Sequence, residues 1–164
     1  MPSTPNPEPL FFDAGMFIGA LLDGDPRHSE ARPLVEAARQ GKIRACTTAG
    51  VLCEVYAGLT WVGAQPPHAP QEAAHAIELL VKPPSAIHIL PEKGLETLLD
   101  ILSLATIHRL TARNVHDARH AATALAWGIT SVYTYDPADW NRFETSGLRI
   151  EGPPSTLLKL RISP

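Results

Sequence analysis

Four carboxylates in this 164-residue chain stand where a solvated surface acid would not. Asp13 is set into the apolar run "LFFDAGMFIGALL", and Glu54 interrupts the apolar "VLCEVY". Asp136 closes "TSVYTYD", and Asp117 falls in the first turn of the alanine-rich stretch "VHDARHAATALAW", where the helix dipole favours an anion. A buried carboxylate without a partner costs several kcal/mol, so Asp13 needs a donor or a cation waiting for it. Four acids sharing one pocket would repel one another unless a cation joined them. Oxygen-only ligands suit a hard divalent ion, Mg²⁺ or Mn²⁺. Such an ion orients a water, helps to ionise it and stabilises charge on a phosphorus centre, so the pattern points to phosphoryl chemistry.

The elements that must position these acids alternate. Short β-like runs, "LFFD", "IRACTT", "AIHIL", "ITSVYTYD" and "LRIEG", are separated by helical stretches, the pattern of a parallel sheet with helices on both faces. Asp13 and Asp136 then fall at the C-terminal edge of the sheet, where such proteins build their sites. Asp25 and Pro26 read as the N-cap and first residue of a helix running to Gln40 and Gly41, with Pro33 a kink or break inside it. Thr48 caps a helix over "AGVLCEVYAGL", "VGAQPPHAP" is a loop, and "QEAAHAIELLV" and "GLETLLDILSLATIHRL" follow as an expected antiparallel helix pair. Asn114 reads as the N-cap of the helix that carries Asp117, and Gly128 closes it. Other acids, Glu30, Glu36, Glu78 and Glu96 among them, fall on helix positions expected to face water.

Length and composition set the bounds. The chain fits one domain, and 45% hydrophobic residues can fill its core. A net charge of −3 argues against a strongly basic nucleic-acid binder, while 14 Lys and Arg leave room for a local basic patch. Cys46 and Cys53 lack the spacing of a metal or redox pair and read as small core residues. No apolar run approaches the ~20 residues of a membrane span. The start "MPSTPNPEP" has no basic leader, so the expectation is a cytoplasmic protein without membrane partners.

With these residues placed, the chain resembles a PIN-domain ribonuclease, in particular the VapC-like toxins of toxin–antitoxin pairs. "FFDAGMFIGALL" is similar to the family's opening strand and first acid, and "TTAGVLCEVYAG" to its second acidic helix, with Glu54 as the glutamate. "VHDARHAATALAWG" resembles the third motif and supplies Asp117, and "VYTYDPADW" resembles the last, with Asp136 as the fourth acid, Thr134 beside the site and Asp139 as a further acidic candidate. The resemblance implies a three-layer α/β/α fold around a parallel sheet of about five strands. It also implies metal-dependent endonucleolytic cleavage of RNA with Mg²⁺ or Mn²⁺ at Asp13, Glu54, Asp117 and Asp136, and a homodimer held by a small cognate antitoxin. On this reading residues 1–9 are a flexible Pro-rich tail, 10–152 the PIN domain and 153–164 a C-terminal tail. One departure is visible: many members follow the first Asp with Thr and then Asn or Ser, whereas this chain has Ala14 and Gly15.

Other roles compete for the same residues. Asp13 and Asp136 could cap helices, Asp117 could serve only the helix dipole, and Asp139 could be a first-turn surface acid. His116 and His120 are spaced i, i+4, but no third His or Cys completes a zinc site; His120, one turn past Asp117, borders the expected pocket instead. Trp61, Trp127 and Trp140 read as core or rim aromatics. Arg113, Arg119 and Arg142 flank the acids and could contact RNA phosphates. A haloacid-dehalogenase-type phosphatase would need a second Asp where Gly15 stands. A non-catalytic PIN-like binding or assembly module would be signalled by lost acids, and all four are present.

Overall fold

Phe11 and Phe12 are both fully buried, which requires cover on both faces of the strand that carries them. That strand, β1 (Leu10–Phe12), is the centre of a five-stranded sheet in the computed structural model, which describes residues 6–162. Its neighbours are β2 (Ala45–Thr47) on one side and β4 (Ser131–Tyr133) on the other, with β3 (His88–Ile89) and β5 (Arg149–Gly152) at the edges, in the order β3-β2-β1-β4-β5. Every pairing is parallel, with Phe11 opposite Cys46 and Val132. The five strands coincide with the five β-like runs of the sequence, and the helices complete a three-layer α/β/α arrangement.

The helices are α1 (Ala14–Leu21), α2 (His28–Arg39), α3 (Ala49–Thr60), α4 (Pro70–Val81), α5 (Leu95–Ile107), α6 (Val115–Ala126), α7 (Pro137–Asn141) and α8 (Pro154–Ile162). Asp13 and Thr48 turn strands directly into helices. Asp13 accepts from the Ala14 N–H at the start of α1, and Thr48 Oγ1 accepts from the Val51 N–H at the start of α3. Gly128, at φ +71°, closes α6 in the left-handed conformation that a side chain would strain. The core is densest around β1 and β4, where Phe12 stacks on Tyr133 at 5.4 Å and Phe11 packs against Trp140 at 5.4 Å.

Several local expectations are corrected. The second helix begins at His28, two residues later than Pro26, because the Asp25 carboxylate is taken by Arg27: it accepts from the Arg27 N–H and from its guanidinium. Pro33 lies inside α2 without ending it. Helices α4 and α5 do not form the expected pair: α4 packs chiefly on α3, and α5 on α6. Asn114 occupies the N-cap of α6 but makes no side-chain cap bond, since a 3₁₀ turn over Ala112–Asn114 leads directly into the helix. Cys53 is exposed, unlike the buried Cys46, and both are free thiols. Glu30 is not a solvated acid. It accepts from Tyr135 Oη and from the Ser155 N–H and hydroxyl, tying α2 to the end of β4 and to α8.

The last of these bonds also shows that the segment from 153, read from sequence as a tail, contributes a helix that packs on β5. Of the Pro-rich tail, residues 1–5 lie outside the described residues, as do 163 and 164. Among the described residues no helix is long and apolar enough to cross a membrane.

Candidate active site

The C-terminal ends of β1 and β4 lie side by side because their register continues past both strands, with the Asp13 N–H donating to the Tyr133 carbonyl. This puts Asp13 next to Thr134. The Asp13 carboxylate is buried and meets three protein donors: the Ala14 N–H at 2.8 Å on Oδ1, and Thr134 Oγ1 at 2.9 Å and the Trp140 indole N–H at 3.0 Å on Oδ2. Thr134 Oγ1 in turn accepts from the Asp136 N–H at 2.9 Å. One hydroxyl thus fixes the orientation of one acid and the backbone of another. Asp136 sits at the N-cap of α7, yet its carboxylate makes no cap bond and turns into the cavity.

That cavity, about 230 Å³, is lined by Asp13, Gly15, Glu54, Asp117, Asp136 and Asp139, together with His120, Trp140 and Arg27. Glu54 comes from α3 and Asp117 from α6, so four separate elements converge. His120, one turn beyond Asp117 and buried, bonds Glu54 Oε1 through Nε2 at 2.8 Å, while its Nδ1 lies 3.3 Å from Thr48 Oγ1. The ring therefore locks the Glu54 side chain to the N-terminus of α3.

Electrostatics in the cavity are those of crowded like charges. Burial, reinforced by Asp139 and Asp13 and opposed by Arg142 and His120, pushes Asp117 up to about 6. Burial, with Asp13 and Asp139, also raises Asp136, against the pull of Arg27. No protein donor among the described residues reaches the Asp117 carboxylate. Among the described residues no three His, Cys, Asp or Glu side chains stand close enough to form a ready ligand set, and mutual repulsion opposes any closer approach. The donor chemistry nevertheless fits a hard divalent cation: the acids offer carboxylate oxygens, two of them made reluctant to ionise by burial first and acidic neighbours second.

The structure therefore brings Asp13, Glu54, Asp117, Asp136, Asp139 and His120 to one cavity, with Thr134 directly behind Asp13. It does not do the same for the three arginines singled out from sequence. Arg119 is paired with Glu92, and Arg113 lies exposed on the 3₁₀ turn before α6. Arg142 reaches the site only indirectly, at 3.5 Å from Asp139. The aromatics divide: Trp140 is buried in the site, while Trp61 and Trp127 are exposed. Sequence reasoning missed Trp140 as an indole donor and Arg27 as a cavity residue. The first had a signal, an aromatic four residues after Asp136; the second had none beyond a charged residue in a turn.

The sequence matches the family model for the PIN domain over residues 10–144. Among solved structures it is similar to that of Mycobacterium tuberculosis VapC20, a Sarcin-Ricin loop cleaving toxin, with 19% sequence identity and a TM-score of 0.63. That alignment covers 88% of this chain and 99% of the other. At this identity the likeness speaks for the fold. No curated protein sequence matches the chain.

Proposed function

Because the chain belongs to the PIN-domain family, we propose that it is a metal-dependent endoribonuclease and the toxin of a toxin–antitoxin pair. The observation that carries this reading is the convergence of Asp13, Glu54, Asp117 and Asp136 on one cavity at the C-terminal edge of the sheet. These four are the residues that would hold Mg²⁺ or Mn²⁺. The ion would supply orientation and acidification of a water and stabilisation of charge on the phosphodiester. The chain's own groups set the stage. Thr134 and Trp140 hold Asp13 in one orientation, His120 fixes Glu54, and Asp117 and Asp136 present carboxylates with few or no protein donors. Trp140 and the Asp13 bond network close the floor of the cavity against the core. The toxin reading carries with it a small antitoxin as partner, and a homodimer and a cytoplasmic setting belong to the same proposal. A basic antitoxin residue would suit a cavity so rich in carboxylates.

The experiment is cleavage of a mixed RNA pool by the purified chain with Mg²⁺ or Mn²⁺, with chelator, and with Asp13→Asn. Metal-dependent cleavage that the variant loses supports the proposal. Equal cleavage by wild type and variant, or none by folded wild type with either ion, contradicts it. Expression of the chain should slow growth, Asp13→Asn should not, and a small adjacent reading frame should restore growth. Equal toxicity of wild type and variant would remove the toxin assignment.

A further inference from the structure

Three cavities meet at one side chain. Arg27 lines the acid cavity, a neighbouring cavity of about 400 Å³ that runs past Ile18 and Gly58 to the exposed Trp61, and a third of about 490 Å³ bounded by Glu30, Tyr135 and Ser155. Its guanidinium is held as a fork: Nε donates to Asp25 Oδ1 at 2.8 Å and Nη2 to Asp25 Oδ2 at 2.6 Å. The Tyr135 ring lies against it, with its centroid 5.4 Å from Cζ. Asp25 thereby holds the guanidinium firmly protonated, against the opposing effect of burial. The fork leaves Nη1 over, which makes no hydrogen bond among the described residues and lies beside Gly15 at the edge of the acid cavity.

Gly15 makes this approach possible. A Cβ at position 15 would lie 3.1 Å from Arg27 Nη1 and 3.6 Å from Asp136 Oδ2. The space a side chain at position 15 would enter is therefore taken by the edge of a guanidinium. A cavity lined by five carboxylates repels a polyanion, and a fixed cation with free N–H groups at its rim is what a phosphate requires.

We propose that Arg27 is a phosphate clamp, binding a backbone phosphate of the RNA strand beside the acid cluster, with Asp25 as its positioning residue and Gly15 as the gap that admits it. The proposal rests on the nuclease function proposed for the acid cavity. It differs from a mere counter-ion role, in which Arg27 would offset Asp136 and touch no substrate.

The two roles separate in the absence of metal. Binding of a fluorescein-labelled single-stranded RNA oligonucleotide to the full chain is followed by anisotropy in chelator over a series of salt concentrations. Arg27→Gln should weaken binding about tenfold, the effect of losing a charge-assisted hydrogen bond. It should also flatten the slope of log affinity against log salt by about 0.7, one phosphate contact on a single strand. Arg27→Lys should keep most of the slope while losing affinity, since an ammonium cannot grip Asp25 and a phosphate together. Gly15→Thr, which keeps Arg27 but crowds Nη1, should reproduce the loss, and combining it with Arg27→Gln should add little. The lysine and threonine variants carry the test if Arg27→Gln folds poorly. If wild type cleaves and binds RNA while the variants bind with unchanged affinity and slope, the clamp is wrong and the nuclease function stands. The clamp is equally wrong if Arg27→Gln only tightens Mn²⁺ binding. If wild type neither cleaves nor binds RNA, both fall.

Discussion

The two walls of the acid cavity are built on different principles. On the β1–β4 wall, Asp13 is buried and answered by a backbone N–H, a threonine hydroxyl and an indole N–H, so its charge is accommodated by the protein itself. On the α3–α6 wall, Glu54 is about half exposed with an imidazole partner, and Asp117 has no donor among the described residues and is raised to about 6. Burial with hydrogen bonds makes a carboxylate part of the fold. Partial burial beside like charges leaves one that costs stability until a cation or a proton arrives. The contrast separates an acid whose orientation the protein fixes from acids whose charge it leaves uncompensated, although all of them face one cavity.

Substitution should make that contrast measurable. Asp13→Asn, Glu54→Gln and Asp117→Asn should each lower RNA cleavage at least ~100-fold, about 2.7 kcal/mol of transition-state stabilisation, in single-turnover assays with excess metal. The walls should part company in stability. Asp13→Ala strands the Trp140 indole N–H and the Thr134 hydroxyl, and urea denaturation of the metal-free protein should show a loss of about 1–3 kcal/mol. If Asp13→Ala is as stable as wild type, the hydrogen-bonded wall is not what fixes the site.

A smaller effect should come from the group linking α3 to α6. His120→Ala frees Glu54 from the N-terminus of α3 and should lower cleavage about tenfold, at the low end for partners that orient metal-binding groups. Unchanged cleavage would mean that Glu54 needs no orientation.

Asp117→Asn should do the opposite of Asp13→Ala to stability. The folded-state value of about 6 lies above the ordinary 3.8, so the native state holds this proton more tightly than the unfolded chain. That contribution is fully present below about pH 3.8 and is lost as pH rises through 6. At neutral pH the ionised group is a net cost to the metal-free fold. Its removal should raise stability by ~1 kcal/mol after allowance for solvent screening, or ~2–4 °C in Tm, with the gain vanishing below about pH 4. The smallest effect belongs outside the cavity. Arg119→Ala breaks an exposed pair with Glu92 and should change stability by less than ~0.5 kcal/mol and leave cleavage unaltered.

What can be read in the sequence follows the same division. Asp13, Asp136 and Glu54 are visible because each breaks an apolar pattern whose period is local, and Asp117 because it opens a helix with a clear alanine face. The strands are legible for the same reason, Phe11 and Phe12 above all. Arg27 is not, because its place depends on Asp25 turning back to grip it and on the missing side chain at Gly15, contacts that no periodicity encodes. The same grip moves the start of α2. Pro153 and Pro154 suggest an ending, yet proline suits the first turn of a helix, and Glu30 anchors that helix from across the chain. The pairing of α5 with α6 rather than α4 is a tertiary choice that amphipathic faces alone leave open.

Whether the α3–α6 acids await a divalent cation is decided by calorimetric titration of Mn²⁺ into the metal-free protein. Saturable binding is expected near pH 7.5, weakened several-fold near pH 5.5 as protons compete at Asp117, and strongly weakened by Asp117→Asn. Binding that is absent in folded wild type, or equally tight at both pH values and in Asp117→Asn, would contradict a cation-receiving wall.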